Sequence, residues 1–161
     1  MPFSWFQQGS MRRFTAPNSI ISLAEPIPTS WIVSEVTKED DFQLSEEDFS
    51  PDAESFASVK SKCTNSQTTT TAIMRMRFKF MDATRASQAS QAKSEELKAY
   101  MILRDNPDAS EITPRLLAYE ETTQSVDDPV PGGFMTFIVW SIVPGIRLDS
   151  PSVFWAMDSA E

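Results

Sequence analysis

Histidine is absent from the 161 residues, and cysteine occurs once, at Cys63. The first absence removes His-based general base catalysis, the Ser-His-Asp arrangement and the common His-containing metal sites. The second excludes an intramolecular disulfide and gives no reason to expect secretion, so the cytoplasm is the expected compartment. Glycine occurs four times, and none lies between Gly9 and Gly132. Glycines let a backbone approach phosphates closely, so that long interval is poorly suited to a phosphate cradle. No apolar run reaches the length of a membrane-spanning helix. Positive charge is also scarce. Fourteen Lys and Arg against 23 Asp and Glu give a net charge of −9, which argues against non-specific nucleic-acid binding.

What is present suffices for one modest core, with 40% hydrophobic residues and 11% aromatics in one domain's length of chain. Residues 1–34 mix aromatics (Phe3, Trp5, Phe6, Phe14, Trp31) with prolines, among them Pro17, Pro26 and Pro28, and sustain neither a helical nor a strand period. Trp5, Phe6 and Phe14 read as docking on a partner or, the favoured reading, as packing loosely or on the chain's own core. Residues 1–24 carry Arg12 and Arg13 and no acid, a weak likeness to a mitochondrial presequence or simply an exposed tail. From Glu35 to Glu54 an acidic block holds nine carboxylates against Lys38, interleaved with Phe42, Leu44 and Phe49. Repulsion at that density predicts a poorly ordered, solvated arm over residues 1–54. The block lacks the glycine of a calcium loop.

Strand signals follow. Ala72 to Phe80 alternates strictly from Met74: Met74, Met76, Phe78 and Phe80 share one face, and Arg75, Arg77 and Lys79 the other. Asn65-Ser66 before it suits a turn held by side-chain hydrogen bonds. Asp82 to Leu103 reads as helix, with Leu97, Tyr100, Met101 and Arg104 as a stripe, ended by Asn106-Pro107. Arg115 to Glu120 reads as a strand. Val130-Pro131-Gly132-Gly133 reads as a turn, and Phe134 to Val143 as a buried strand stopped by Pro144-Gly145. A helix carrying Phe154, Trp155 and Met157 follows Asp149-Ser150-Pro151.

This pattern resembles a known family. Thr113-Pro-Arg-Leu-Leu-Ala-Tyr119, a polar insert, Val130-Pro-Gly-Gly-Phe134, an apolar strand and Val143-Pro-Gly145 are similar to the small lobe of aminoglycoside phosphotransferases and related protein-kinase-like proteins, above all fungal ones. The likeness covers roughly residues 63 to 158. It implies an α+β fold: a five-stranded antiparallel sheet with one packed helix, the kinase-like N-lobe, in residues 55–161 after the acidic arm. It implies ATP or GTP with Mg2+ as cofactor. By the same likeness Arg75, with Lys79 as runner-up, stands where the family has its phosphate-contacting lysine, and Glu96, seven residues before Leu103, would hold that cation as an ion pair. Trp140, Ser141 and Val143 would line the nucleotide at the hinge. The same residues also read without the likeness, as a half-exposed strand with a cationic face and a solvated helix face.

The catalytic and metal-binding aspartates of the larger lobe have no counterpart here, so the resemblance implies a truncated phosphotransferase-like protein with at most residual nucleotide binding. The alternative is a non-catalytic interaction module. It would bind a partner through the acidic–aromatic segment or through an apolar hinge-side surface at Trp140, Ile142, Val143, Phe154, Trp155 and Met157.

Overall fold

The computed structural model describes residues 6, 9–42, 56–79, 95–106, 108 and 113–143. Among the described residues, six antiparallel strands and one α-helix make up the fold, with a 3-10 helix, Gly9–Phe14, ahead of them. The strands are β1 (Ile20–Leu23), β2 (Thr29–Phe42), β3 (Phe56–Asn65), β4 (Thr71–Lys79), β5 (Leu116–Thr123) and β6 (Phe134–Ser141), and the helix is α1 (Glu95–Arg104). The sheet order is β1-β2-β3-β4-β6-β5. Its two edges meet at one point, where Glu25 and Tyr119 exchange backbone hydrogen bonds of 3.3 and 2.9 Å. The sheet therefore curls into a nearly closed barrel.

This corrects the expected five-stranded kinase-like lobe with a packed helix. Two of the six strands come from the stretch expected to be a poorly ordered arm, and their curvature brings the sheet back on itself. Charge density misled the reading of Glu35 to Phe42. In β2 the acids Glu35, Glu39, Asp40 and Asp41 lie on the part of the strand paired with β3, and two of them are neutralised locally: Glu35 pairs with Lys62 at 2.9 Å and Asp40 with Lys38 at 2.8 Å. The remainder of the acidic block, residues 43–54, lies outside the described residues.

Long strands close a barrel only if they bend, and β2 bends at two bulges. The register with β3 slips between Val33 and Glu35 and again between Val36 and Lys38. The extra residues are Ser34 and Thr37. Their hydroxyls donate to the carbonyls of Lys62 (3.0 Å) and Lys60 (3.1 Å), so each bulge is tied to the neighbouring strand.

The strict alternation of β4 does what its period requires. Ala72, Met74, Met76 and Phe78 point inward and are buried. Val59 and Cys63 from β3, Phe137 and Val139 from β6 and Val33 from β2 meet them, so the interior is filled by side chains. Phe6 and Met11 plug one end, and Phe6 meets the Phe78 ring edge-on at 4.9 Å between centroids. Of the early aromatics, Phe6, Phe14 and Trp31 thus dock on the chain's own core, while Phe3 and Trp5 lie outside the described residues.

The turns also follow from sequence. Asn65 Oδ1 accepts from the amides of Gln67 and Thr68, both at 2.9 Å, and joins β3 to β4. Gly132 sits at φ 77°, a conformation open to glycine, in the loop joining β5 to β6. A bulge between Leu116 and Ala118 turns Leu116 outward and Ala118 inward, although two residues apart they would share a face in a regular strand.

Helix α1 lies in the connection from β4 to β5 and covers the outer face of β5 and β6. Leu97 packs there with Leu116 and Ile138, flanked by Tyr100, Met101 and Trp140. The expected helix from Asp82 is seen from Glu95 only, because residues 80–94 lie outside the described ones. Among the described residues no helix is long and apolar enough to cross a membrane.

Candidate functional site

The outer face of β4 carries the residues with the most chemistry. Arg75 stands between Lys60 of β3 and Ile138 of β6 in the register. Its Nη1 donates to Glu96 Oε2 of α1 at 2.6 Å, with both side chains about three-quarters covered. Its guanidinium also lies 5.8 Å from the Trp140 ring. Tyr100 stacks on Trp140 with 5.6 Å between centroids and 20° between planes. Burial pushes the Tyr100 phenol above its ordinary range, Glu96 adds to that, and Arg75 opposes it.

Cation, carboxylate and two rings therefore form one closed set that fastens α1 to the sheet. The guanidinium engages Glu96 through Nη1 while its buried Nε has no hydrogen-bond partner among the described residues, and the indole is covered by Tyr100. A half-buried charge-assisted bond of this kind stabilises by more than a surface pair and holds both partners in place.

Two residues along the same face of β4, Arg77 stacks on Phe56, its guanidinium 3.9 Å from the ring centre, with Phe134 at 6.0 Å. Sequence reasoning placed Arg77 on the cationic face but missed the aromatic partners, which come from two other strands.

The remaining expected site residues scatter. Lys79 ends β4 opposite Phe56 in the register. Ser141 pairs with Arg115: its Oγ accepts the Arg115 amide and its own amide donates to the Arg115 carbonyl, both at 2.9 Å. Val143 is half-exposed beyond the end of β6, as is Ile142. Pro144 to Asp149 and the segment with Phe154, Trp155 and Met157 lie outside the described residues. The structure thus brings Arg75, Glu96 and Trp140 together and leaves Ser141 to the neighbouring strand.

The only thiol offers no nucleophile. Cys63 is fully buried, and burial pushes its pKa up to about 12. Among the described residues no group of three metal-ligating side chains converges.

A second polar cluster, not anticipated from sequence, lies at the plugged end. Asp128, in the loop after β5, is buried and takes hydrogen bonds of 2.8 Å from Arg13, from the Ser125 amide and from the Ser125 hydroxyl. Burial alone would raise its carboxyl. Arg13, Ser10 and Ser125 outweigh that and hold it well below the usual carboxylate range. The only hint in the sequence is Ser125-Val-Asp-Asp128, a spacing that suits a side chain capping its own loop.

No family model matches the chain, and no curated protein or solved structure matches it.

Proposed function

We propose that this protein is a non-catalytic interaction module, a small filled β-barrel that offers its surface to a protein partner. The observation that carries this reading is the closed set of Arg75, Glu96, Trp140 and Tyr100. The side chains best equipped to bind a small ligand engage one another, Arg75 through its Nη1 to Glu96 and Trp140 through the Tyr100 ring, although the buried Nε of Arg75 keeps no hydrogen-bond partner among the described residues. The filled interior supports it as well, since a ligand-carrying barrel needs a cavity there. The buried, protonated Cys63 and the lack of histidine remove the thiolate nucleophile and the imidazole base, which supports the reading. A single unpaired thiol suits a reducing compartment, and the cytoplasm is the proposed location.

A second reading, residual binding of ATP or GTP with Mg2+, is favoured by one feature, the guanidinium of Arg75 beside the indole of Trp140. It requires Glu96 to release Arg75 and Tyr100 to uncover Trp140, and is the weaker for it.

Titration with ATP and GTP in the presence of Mg2+, read by tryptophan fluorescence and phosphate release, separates the two. The interaction reading expects no turnover and no saturable change. Nucleotide turnover that is lost in Arg75→Ala would sink it.

A further inference from the structure

The barrel does not close along its whole length. Beyond the Glu25–Tyr119 contact, β1 and β5 diverge, and a cleft of about 310 Å3 opens between them. Phe14, Ile21, Met135 and Phe137 supply its apolar lining, and Phe14 lies against Phe137 at 5.5 Å.

Ladder geometry fixes which main-chain groups face this gap. The Val33 amide donates to the Ser19 carbonyl, and the Ala24 amide turns the other way, to Glu120 Oε2 at 3.1 Å. Alternation then points the amides and carbonyls of Ile20 and Ser22 away from β2 and into the seam. Tyr119 exchanges both bonds with Glu25, so Glu121 and Thr123, at the same parity, also face the seam. Among the described residues these four meet no strand on that side. Two open edges facing each other over an apolar floor are a template for one added strand.

Charge orients that strand. Glu25, Glu120 and Glu121 gather at the closed end, and Glu25 and Glu121 are exposed. At the open end Arg13 is held by Asp128.

We propose that this seam is the docking site of the module: an extended peptide segment of a partner protein inserts between β1 and β5. It lodges an apolar side chain over Phe14 and Phe137 on the inner face and sets a Lys or Arg beside Glu121 on the outer face. The assignment rests on the interaction-module reading and names its partner as a basic, β-forming peptide.

A short synthetic peptide alternating valine and lysine is the probe, with the valine–glutamate peptide as control. Amide exchange read residue by residue is the measurement. The lysine peptide should slow exchange at Ile20, Ser22, Glu121 and Thr123, and the glutamate peptide should bind about tenfold more weakly. Ser22→Pro removes an amide that faces the seam and not β2, so the fold should survive it while peptide binding is lost. Glu121→Lys, on the surface, should weaken the lysine peptide alone.

If the lysine peptide instead protects Glu35 to Asp41, the seam is overturned and the interaction reading stands. If no peptide binds, or if the same amides are protected without peptide in a concentration-dependent dimer, the peptide assignment is overturned. A nucleotide-dependent change at Trp140 would overturn the interaction reading itself.

Discussion

Arg13 and Asp128 stand 2.8 Å apart across 115 residues of sequence, and their ion pair joins the N-terminal plug to the loop between β5 and β6. The carboxylate is buried while the guanidinium is partly exposed, so the cost of breaking the pair falls on Asp128.

Arg13→Ala leaves that carboxylate buried with only Ser10 and Ser125 as partners. It should lower stability by about 1–3 kcal/mol, in line with loss of a hydrogen-bonded partner to a buried charge. The pH dependence has a definite sign. The native carboxyl is held below its ordinary range, so its contribution is fully present above the unfolded value of ~3.9 and is lost as pH falls below that. Urea midpoints measured from pH 7 down to pH 3 should fall more steeply for the wild type than for Asp128→Asn. Parallel slopes would show that the pair carries no linkage.

The opposite pH edge belongs to Cys63. Burial holds the thiol protonated up to about pH 12 in the native state, while an unfolded thiol ionises near ~8.5. Its contribution is therefore complete below that unfolded value and is lost as pH rises above it. Cys63→Ala should flatten the decline of stability on the alkaline side. An aromatic disulfide reagent at pH 8 should label the thiol only as fast as the protein unfolds. Rapid labelling of the native protein would mean that the barrel opens at β3.

Phe6 tests the plug. Its ring is 1% exposed and meets Phe78 edge-on. Phe6→Ala should cost about 3 kcal/mol, the low end for a fully buried Phe. That is a large fraction of the roughly 5–15 kcal/mol that holds a domain of this size. A change below about 0.5 kcal/mol, the level of an ordinary surface substitution, would return residues 1–14 to the status of a loose arm.

The strands legible in the sequence were those whose pattern arises within one segment. Met74, Met76 and Phe78 alternate because one face of β4 is buried. Phe134 to Ser141 is apolar on both faces because the core lies inside and α1 lies outside. β2 was illegible for a physical reason. Two of its carboxylates, Glu35 and Asp40, are compensated by Lys62 and Lys38, and its alternation is broken twice by the residues inserted at Ser34 and Thr37. Neither effect is visible before the partner strand is placed. Barrel closure was equally hidden, since it depends on one contact between Glu25 and Tyr119. The Arg75–Glu96 pair was named from a family resemblance whose fold does not hold here. The pair forms because β4 and α1 are joined by a crossover that lays the helix over the outer face of the sheet.

That pair and the Tyr100–Trp140 stack should act as one unit. Each side chain restrains the next: Glu96 holds Arg75, Arg75 lies beside Trp140, and Trp140 is covered by Tyr100. Neighbours in such a network lose stability non-additively. Glu96→Gln alone keeps a hydrogen-bonding group and should cost about 0.5–1 kcal/mol, discounted because both partners of the pair are partly exposed. Tyr100→Ala alone should cost about 1–3 kcal/mol through the lost stacking and burial. The double variant should cost less than the sum, by about 0.5–1 kcal/mol. Amide exchange over Glu95–Arg104 should accelerate in all three variants, while exchange in β3 should remain at its wild-type rate. Strict additivity, or faster exchange in β3 as well, would mean that the four side chains do not act together to fasten α1.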